Sequence, residues 1–399
     1  MNVFARRLYT SISFNFLTTL LNYSTFVLLA NFASEIEFGR YMYLLAISAV
    51  VIVFTSFASE KIFAKVAIEN NSAQIAINRS LGLKIIFFIL FLVLFCITSI
   101  LNLFSDVYLL FFLGANFFIN GIYEFKLKIQ KLSFYVFCEK LVFLLLCIFF
   151  LTHYDFIVSV SLSYFISCLM LIFIQFYENK IEISSFRFLK KSEYFSHIFI
   201  FFPVYMLSLT QLSYGYTSRI ILENKFGLEQ FAAISIAFQF INLFSIFQSR
   251  VDNFFRPLII ENINNKKQRR KNLYDYFILA LIPIMLMSIG LFFAAENLIM
   301  IFFGEKYASA ASYLRILAPI AISISFFRLQ DILFLAHEKN NLNLIIQLIC
   351  ASLLIFLMAT DLLSFTVNEY LSIVVIVQFF QVFISAIALK LIKIIPSTE

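Results

Sequence analysis

The sequence predicts an all-α polytopic membrane protein: twelve transmembrane helices in two six-helix bundles, with both termini in the cytoplasm. Two observations predict this fold class. The chain is 62% hydrophobic with only 13% charged residues, and its positive charges fall almost entirely on one side of its long apolar stretches. A soluble chain of 399 residues could not hide that much apolar surface in one core.

Twelve apolar stretches are each long enough to cross most or all of a hydrocarbon core of roughly 30 Å, at about 1.5 Å rise per residue. The first follows the basic pair Arg6-Arg7. It is too long for the apolar region of a signal peptide and lacks a cleavage motif, so it is predicted to be a span. The predicted spans are 10–33, 41–60, 82–102, 107–123, 134–152, 156–176, 197–221, 231–254, 274–295, 308–335, 342–360 and 366–394.

The distribution of Lys and Arg predicts the orientation. If the N-terminus lies inside and the spans alternate, 25 of the 30 Lys and Arg residues lie on the inner side. Such a bias is expected for a multi-pass protein of the bacterial cytoplasmic (inner) membrane. The basic loops flank spans, so orientation and anionic lipid headgroups explain them, and nucleic acid is not a predicted partner.

The segments between spans are too short for a catalytic or nucleotide-binding domain. No G-x-x-x-x-G-K-[ST] motif is present, which excludes a single-chain ATP-driven exporter. The five Cys and three His lack metal-ligand spacing, so neither a metal nor a cofactor is predicted. No catalytic constellation is found, and no enzyme activity is predicted. The expected organisation is a bundle over 1–176, a cytoplasmic linker over 177–196 and a second bundle over 197–399.

The sequences of the two halves are weakly similar to one another. Shifted by 192 positions, Ser24–Phe38 lies on Tyr216–Gln230, in each case a span, a short polar hairpin with a glutamate, and the next span. A parallel duplication of this kind is typical of transporters that bind their substrate between the halves.

Three stretches, in order along the chain, carry a family resemblance. The first is Ala5–Leu29 followed by Glu37-Phe38-Gly39-Arg40-Tyr41. The second is Ser218-Arg219-Ile220-Ile221-Leu222, then Phe226-Gly227 and Phe231-Ala232-Ala233. The third is Phe302-Phe303-Gly304-Glu305-Lys306-Tyr307-Ala308, continuing to Leu314-Arg315-Ile316-Leu317-Ala318-Pro319. Together they resemble the polysaccharide transporter branch, with its O-antigen flippases, of the multidrug/oligosaccharidyl-lipid/polysaccharide (MOP) superfamily.

The resemblance implies a MATE-like fold with a central cavity between the bundles. It also implies a flippase that moves an undecaprenyl-diphosphate-linked oligosaccharide across the cytoplasmic membrane, with a polysaccharide polymerase and a chain-length regulator as partners. Three alternatives stay open: a drug/cation antiporter of the same superfamily, an integral-membrane polymerase for the same glycans, and another secondary transporter. An antiporter for cationic drugs should present unpaired carboxylates in mid-span, and a polymerase should have a long polar outer loop.

Binding of a diphosphate headgroup requires cations. Arg suits this role because its planar guanidinium group donates two parallel hydrogen bonds to phosphate oxygens. Arg315, about 10 Å into the tenth predicted span, is expected to face the bundle interior or water because a charge there is costly. Snorkelling to the outer interface is the alternative. Arg328 is a second candidate on the same span, unless it forms a neutralising pair with Asp331 three residues later.

Arg219, near the outer end of the seventh predicted span, is expected to meet the substrate or, alternatively, to be an interface anchor paired with Glu223. Arg250, Asp252 and Arg256 end the eighth span, and Lys61 ends the second. They could receive diphosphate from the cytoplasm, although positive-inside anchoring also explains them. Glu139 and Lys140 are placed at the mouth of the fifth span, and Pro203, Pro283 and Pro319 are expected to bend theirs.

Overall fold

The computed structural model describes residues 3–57, 63, 66–67, 72–101, 106–126, 128–179, 191–263, 265–337, 339–360 and 365–391. Every regular element in these ranges is helical. The chain forms two compact units, Met1–Leu209 and Thr210–Glu399. Most of the predicted linker, 180–190, and the candidate Lys61 lie outside the described residues.

The first unit contains seven helices and most of an eighth, which continues into the second unit. These helices are α1 (Val3–Phe32), α2 (Glu35–Ser56), α3 (Ala73–Ile100), α4 (Leu109–Phe112), α5 (Gly121–Phe125), α6 (Ile129–Leu151), α7 (Phe156–Asn179) and α8 (Lys191–Leu212).

The second unit begins near a π-helical turn, Ser213–Thr217, and a second π-helical turn, Phe277–Leu281, lies between two of its helices. Its helices are α9 (Ser218–Glu261), α10 (Lys266–Tyr276), α11 (Ile282–Phe303), α12 (Ser309–Leu317), α13 (Ile320–Ala336), α14 (Asn340–Ala359) and α15 (Val367–Leu391).

Nine helical segments in the described part of the chain are long and apolar enough to cross a membrane, so the protein is a multi-pass membrane protein. One of these segments, Tyr205–Ser245, overlaps both of the predicted spans 197–221 and 231–254. Within it, Gly227 has φ 79° and ψ 174°, a conformation that only glycine adopts readily. The helical run therefore breaks inside the predicted connection between those spans. The count of twelve and the location of the termini stay predictions.

The fourth predicted span, 107–123, is wrong as a regular helix. It consists of α4, a 3₁₀ segment Leu113–Phe117, an extended residue and α5. Buried side chains from neighbouring helices satisfy the backbone groups at the break: Gln175 accepts from Ile119 N at 3.1 Å and donates to Ile119 O at 2.7 Å. Lys84 Nζ donates to Phe118 O at 2.9 Å. Non-helical backbone at membrane depth requires such partners.

Prolines interrupt helices in the second unit. Pro319 separates α12 from α13, and Ser288 Oγ donates to Ala318 O at 2.7 Å beside that break. Pro283 follows the π-helical turn at the start of α11. Pro203, by contrast, lies inside α8, which continues past it. The break at Pro319 places Arg315 on a short helix of its own, separate from Arg328.

Gly121, at the start of α5, touches a neighbouring side chain so closely that a methyl group would not fit. A Cβ there would lie 2.5 Å from Phe63 Cβ, whereas a Cβ at Gly290 in α11 would meet nothing within 4 Å. We expect Gly121→Ala to destabilise the protein by about 1–3 kcal/mol through overpacking. Gly290→Ala should be neutral or stabilising by up to about 1 kcal/mol. Thermal unfolding of both variants in detergent tests this, and equal shifts would contradict the packing at Gly121.

Candidate functional site

Arg219 is a buried cation at the start of α9, directly after the π-helical turn. Its side chain is 5% exposed. The guanidinium carbon lies 4.2 Å from the ring centre of Phe238 and 5.4 Å from that of Tyr216. Each of these two aromatic rings attracts the charge electrostatically, by about 2 kcal/mol when the cation is desolvated.

Among the described residues, Arg219 has no carboxylate partner. The predicted ion pair with Glu223 does not form, and Arg219 Nε is buried without a hydrogen-bond partner. Burial rules out the interface-anchor alternative, because an anchor would extend to the headgroups. A buried arginine in an apolar segment costs roughly 2.5–3.5 kcal/mol on insertion scales, a cost of the same size as the attraction of the two rings. The site therefore holds a positive charge with no negative partner among the described residues.

Arg315, expected from the sequence to face the bundle interior or water, is partly exposed and paired with a carboxylate. Its side chain is 41% exposed and forms an ion pair with Glu296 of α11, at 2.9 Å from Nη2 to Oε2. Glu296 lies just beyond the predicted ninth span, 274–295. The helix is longer than predicted, since α11 continues to Phe303. A neutralising partner on the neighbouring helix removes the need for Arg315 to turn inward.

Asp252 lies at the centre of a buried polar cluster. Asp252 is 2% exposed and Tyr276 is fully buried. Gln248 Nε2 and Tyr276 Oη each donate to Asp252 Oδ1 at 2.8 Å, and Gln248 Nε2 also donates to Tyr276 Oη. Asp252 Oδ2 and Gln248 Oε1 are buried without a hydrogen-bond partner among the described residues.

Two other sequence-predicted residues lie near this cluster. Arg328, half-buried on α13, and Arg256, exposed on α9, are close enough to attract the Asp252 carboxylate. The structure thus brings together Asp252, Arg256 and Arg328. Arg250 belongs to α9, but its side chain lies outside the described part.

Asp331 belongs to a different network. It accepts from Asn343 Nδ2 at 2.7 Å and from Gln347 Nε2 at 3.2 Å, while Thr210 Oγ1 donates to Gln347 Oε1 at 3.2 Å. The predicted pair between Arg328 and Asp331 does not form, because amide donors from α14 hold the carboxylate instead. The sequence alone did not identify Thr210, Asn343 and Gln347. Polar side chains within apolar helices could have indicated that they form a buried network.

The first unit buries two further charged groups that the sequence interpretation placed near the membrane surface. Lys84, one of the 25 basic residues that the predicted topology places on the inner side, is fully buried at the break between α4 and α5. Glu139 and Lys140 lie about 15 Å into α6, at 1.5 Å per residue, because that helix begins at Ile129. Lys140 pairs with Glu139 at 3.0 Å, and Ser167 donates to Glu139 at 3.3 Å. The pair thus lies well inside the helix, and its depth in the membrane stays a prediction.

No protein-family profile and no curated protein sequence matches this chain. Solved structures do match it. The lipid II flippase MurJ in an inward closed conformation has a TM-score of 0.75 at 16% identity, covering 96% of this chain and 87% of that one. An inward-facing multidrug-resistance MATE family transporter of the MOP superfamily has a TM-score of 0.71 at 14% identity, covering 98% and 99%.

A third similar structure is that of a MOP superfamily transporter from Pyrococcus furiosus, which is described as having a binding pocket of reverse polarity. Its TM-score is 0.62 at 15% identity, covering 97% of this chain and 95% of that one. At these identities the likeness extends to the fold alone. The chain has the fold of MOP-superfamily transporters, which MATE transporters and the MurJ flippase share.

Proposed function

We propose that this protein is a flippase of the bacterial inner membrane. It moves undecaprenyl-diphosphate-linked oligosaccharide units of a surface polysaccharide, such as O-antigen or capsule, from the cytoplasmic to the outer leaflet by alternating access. It catalyses no covalent chemistry. The fold it shares with a lipid II flippase and the three sequence stretches resembling polysaccharide transporters support this proposal.

The observation that carries the proposal is the buried charge of Arg219, which has no negative partner among the described residues. A diphosphate bears negative charge on oxygens that accept hydrogen bonds, and a desolvated guanidinium donates to such oxygens strongly and bidentately. The Nε of Arg219 has no hydrogen-bond partner within the described ranges. Arg328 and Arg256 supply further positive charge in the same unit and are the secondary candidates for the headgroup.

The shared fold also fits a drug/cation antiporter, since MATE transporters are among the matches. The charge balance of the buried groups favours an anionic substrate. Of the two buried carboxylates in the described residues, Glu139 pairs with Lys140, and Asp252 has two hydrogen-bond donors and two nearby arginines. Asp252 Oδ2 also lacks a hydrogen-bond partner among the described residues, but the positive charge of the two arginines disfavours a cationic substrate there. Arg219, by contrast, has no negative partner among the described residues.

Deleting the gene in its host tests the proposal. We expect lipid-linked oligosaccharides to accumulate on the cytoplasmic leaflet and surface polysaccharide to disappear, with recovery on complementation by the wild type. Extraction of lipid-linked intermediates, combined with a membrane-impermeant glycan-modifying enzyme applied to spheroplasts, reports the leaflet. Normal surface glycan together with a new sensitivity to cationic drugs would instead support the antiporter.

Arg315 is expected to act mainly through its ion pair with Glu296. Arg315→Glu alone places two carboxylates together and should lower the level of folded protein. The double variant Arg315→Glu/Glu296→Arg restores opposite charges and should recover both folding and surface glycan. Complementation of the deletion strain, normalised to protein level, measures this. A double variant that folds but does not transport would place Arg315 in contact with the substrate.

A further inference from the structure

The helix α10 presents a strongly basic surface that the proposed function does not use. Lys267, Arg270, Lys271 and Tyr274, here called the basic face, are spaced i, i+3, i+4 and i+7 and therefore lie on one side of the helix. All four are exposed, Tyr274 by 63%. None of the three cations forms a hydrogen bond or ion pair with another described residue.

The basic face belongs to a fixed helix, not to a loose loop. Asn265 caps the N-terminus of α10 by accepting from Gln268 N at 3.2 Å. On the opposite side, Asn272 Nδ2 donates to Leu258 O at 2.9 Å, and Arg269 donates to Ile263 O at 3.1 Å. These bonds attach the helix to the end of α9 and hold the basic face outward.

An exposed apolar surface continues directly from the basic face. Phe277 and Ile278 in the π-helical turn are 42% and 39% exposed. In α11, the stripe Leu286, Ile289 and Phe293 is 65%, 50% and 76% exposed. The surface thus passes from cations through a tyrosine to hydrocarbon, the order of a bilayer from headgroup through interface to acyl chains.

We propose that the basic face and the adjoining apolar stripe of α11 form a binding site for an anionic diacyl phospholipid of the surrounding membrane. Lys267, Arg270 and Lys271 hold the phosphate and headgroup, Tyr274 lies at the glycerol level, and an acyl chain follows Leu286 and Ile289. The dimensions agree: Arg270 and Leu286 are about 24 Å apart along the helical run at 1.5 Å per residue. One leaflet of a bilayer of about 40–45 Å is of similar thickness.

Lipid titration of the purified full-length protein in a neutral detergent tests this site without a transport assay. Native mass spectrometry measures binding of phosphatidylglycerol and phosphatidylcholine, with inorganic phosphate as a soluble competitor. The wild type should prefer phosphatidylglycerol. In Arg270→Gln/Lys271→Gln this preference should fall about 30-fold, since each surface cation contributes about 1 kcal/mol and about 1.4 kcal/mol corresponds to a factor of ten. The single variant Arg270→Gln should show an intermediate loss.

The matched control is Lys339→Gln/Lys390→Gln, which removes the same charge from exposed positions outside the basic face. It should bind phosphatidylglycerol like the wild type. Equal losses in both double variants would show a general charge effect and overturn the site. Competition by inorganic phosphate at the lipid's own concentration, or binding of a polyprenyl diphosphate but not phosphatidylglycerol, would also overturn it.

Discussion

Replacing Arg219 with methionine is expected to abolish transport while leaving the protein about as stable as the wild type. Methionine has a similar length and no charge, so it removes the cost of burying a cation, roughly 2.5–3.5 kcal/mol on insertion scales. It also loses the attraction of the cation to Phe238 and Tyr216, about 2 kcal/mol for each ring when the cation is desolvated. The two effects are of similar size, so the stability should change little.

The loss of transport follows from the bonds that Arg219 would make to a diphosphate. Hydrogen bonds to charged groups contribute about 1.5–3 kcal/mol, which corresponds to a decrease of roughly 10- to 150-fold in transport at limiting substrate. Arg219→Lys keeps the charge but not the planar fork and should retain part of the activity. Complementation of the deletion strain, normalised to protein level, measures transport, and thermal unfolding in detergent measures stability.

Lys225 provides a matched control on the same helix. Its Nζ donates to Tyr370 Oη at 2.8 Å and lies 4.9 Å from the centre of that ring. Lys225→Met should therefore reduce stability slightly and leave transport close to wild type, the reverse of Arg219→Met. If Arg219→Met transports normally, or if it unfolds while Lys225→Met does not, Arg219 has a structural role only.

Replacing Asp252 with alanine is expected to destabilise the protein by about 3 kcal/mol. The change leaves two buried donors, Gln248 Nε2 and Tyr276 Oη, without their shared acceptor, and each unsatisfied group costs about 1–3 kcal/mol. Asp252→Asn keeps the accepting oxygen, and its new amide can donate to a neighbouring acceptor. We expect this variant to stay within about 1 kcal/mol of the wild type.

The comparison of the two variants separates the hydrogen bonds of Asp252 from its charge. Both are measured by thermal unfolding of the detergent-purified protein, and transport is measured for the variant that folds. Equal destabilisation by alanine and asparagine would show that attraction to Arg328 and Arg256 dominates. A stable Asp252→Asn variant that fails to transport would place the carboxylate charge in the transport cycle.

Hydropathy and charge alone predict most of the helical architecture, because the bilayer requires long apolar segments and orients their basic flanks. The break in the fourth predicted span could not be predicted. Its sequence is as apolar as that of a regular span, and the groups that satisfy the opened backbone come from Lys84 and Gln175, distant along the chain. The break at Gly227 was anticipated as a connection, since the residues around it are polar.

The contacts of the candidate site were equally difficult to predict from the sequence. Sequence singles out charged residues in apolar segments, and Arg219 and Asp252 are indeed buried. It does not determine which partner each residue meets, because i+3 and i+4 neighbours on one helix compete with groups on other helices. Glu296 pairs with Arg315, and Asn343 holds Asp331, although neither contact follows from spacing within a single span.

The most direct test is a flipping assay with purified protein in liposomes that contain a fluorescent undecaprenyl-diphosphate-linked oligosaccharide. A membrane-impermeant quencher reports the fraction of labelled lipid that becomes accessible from the opposite leaflet over time. We predict rapid equilibration with the wild type and with Lys225→Met, and a rate close to that of protein-free liposomes with Arg219→Met. Equal rates for wild type and Arg219→Met, or no flipping by a folded wild type, would contradict the proposal that a buried arginine binds the diphosphate during flipping.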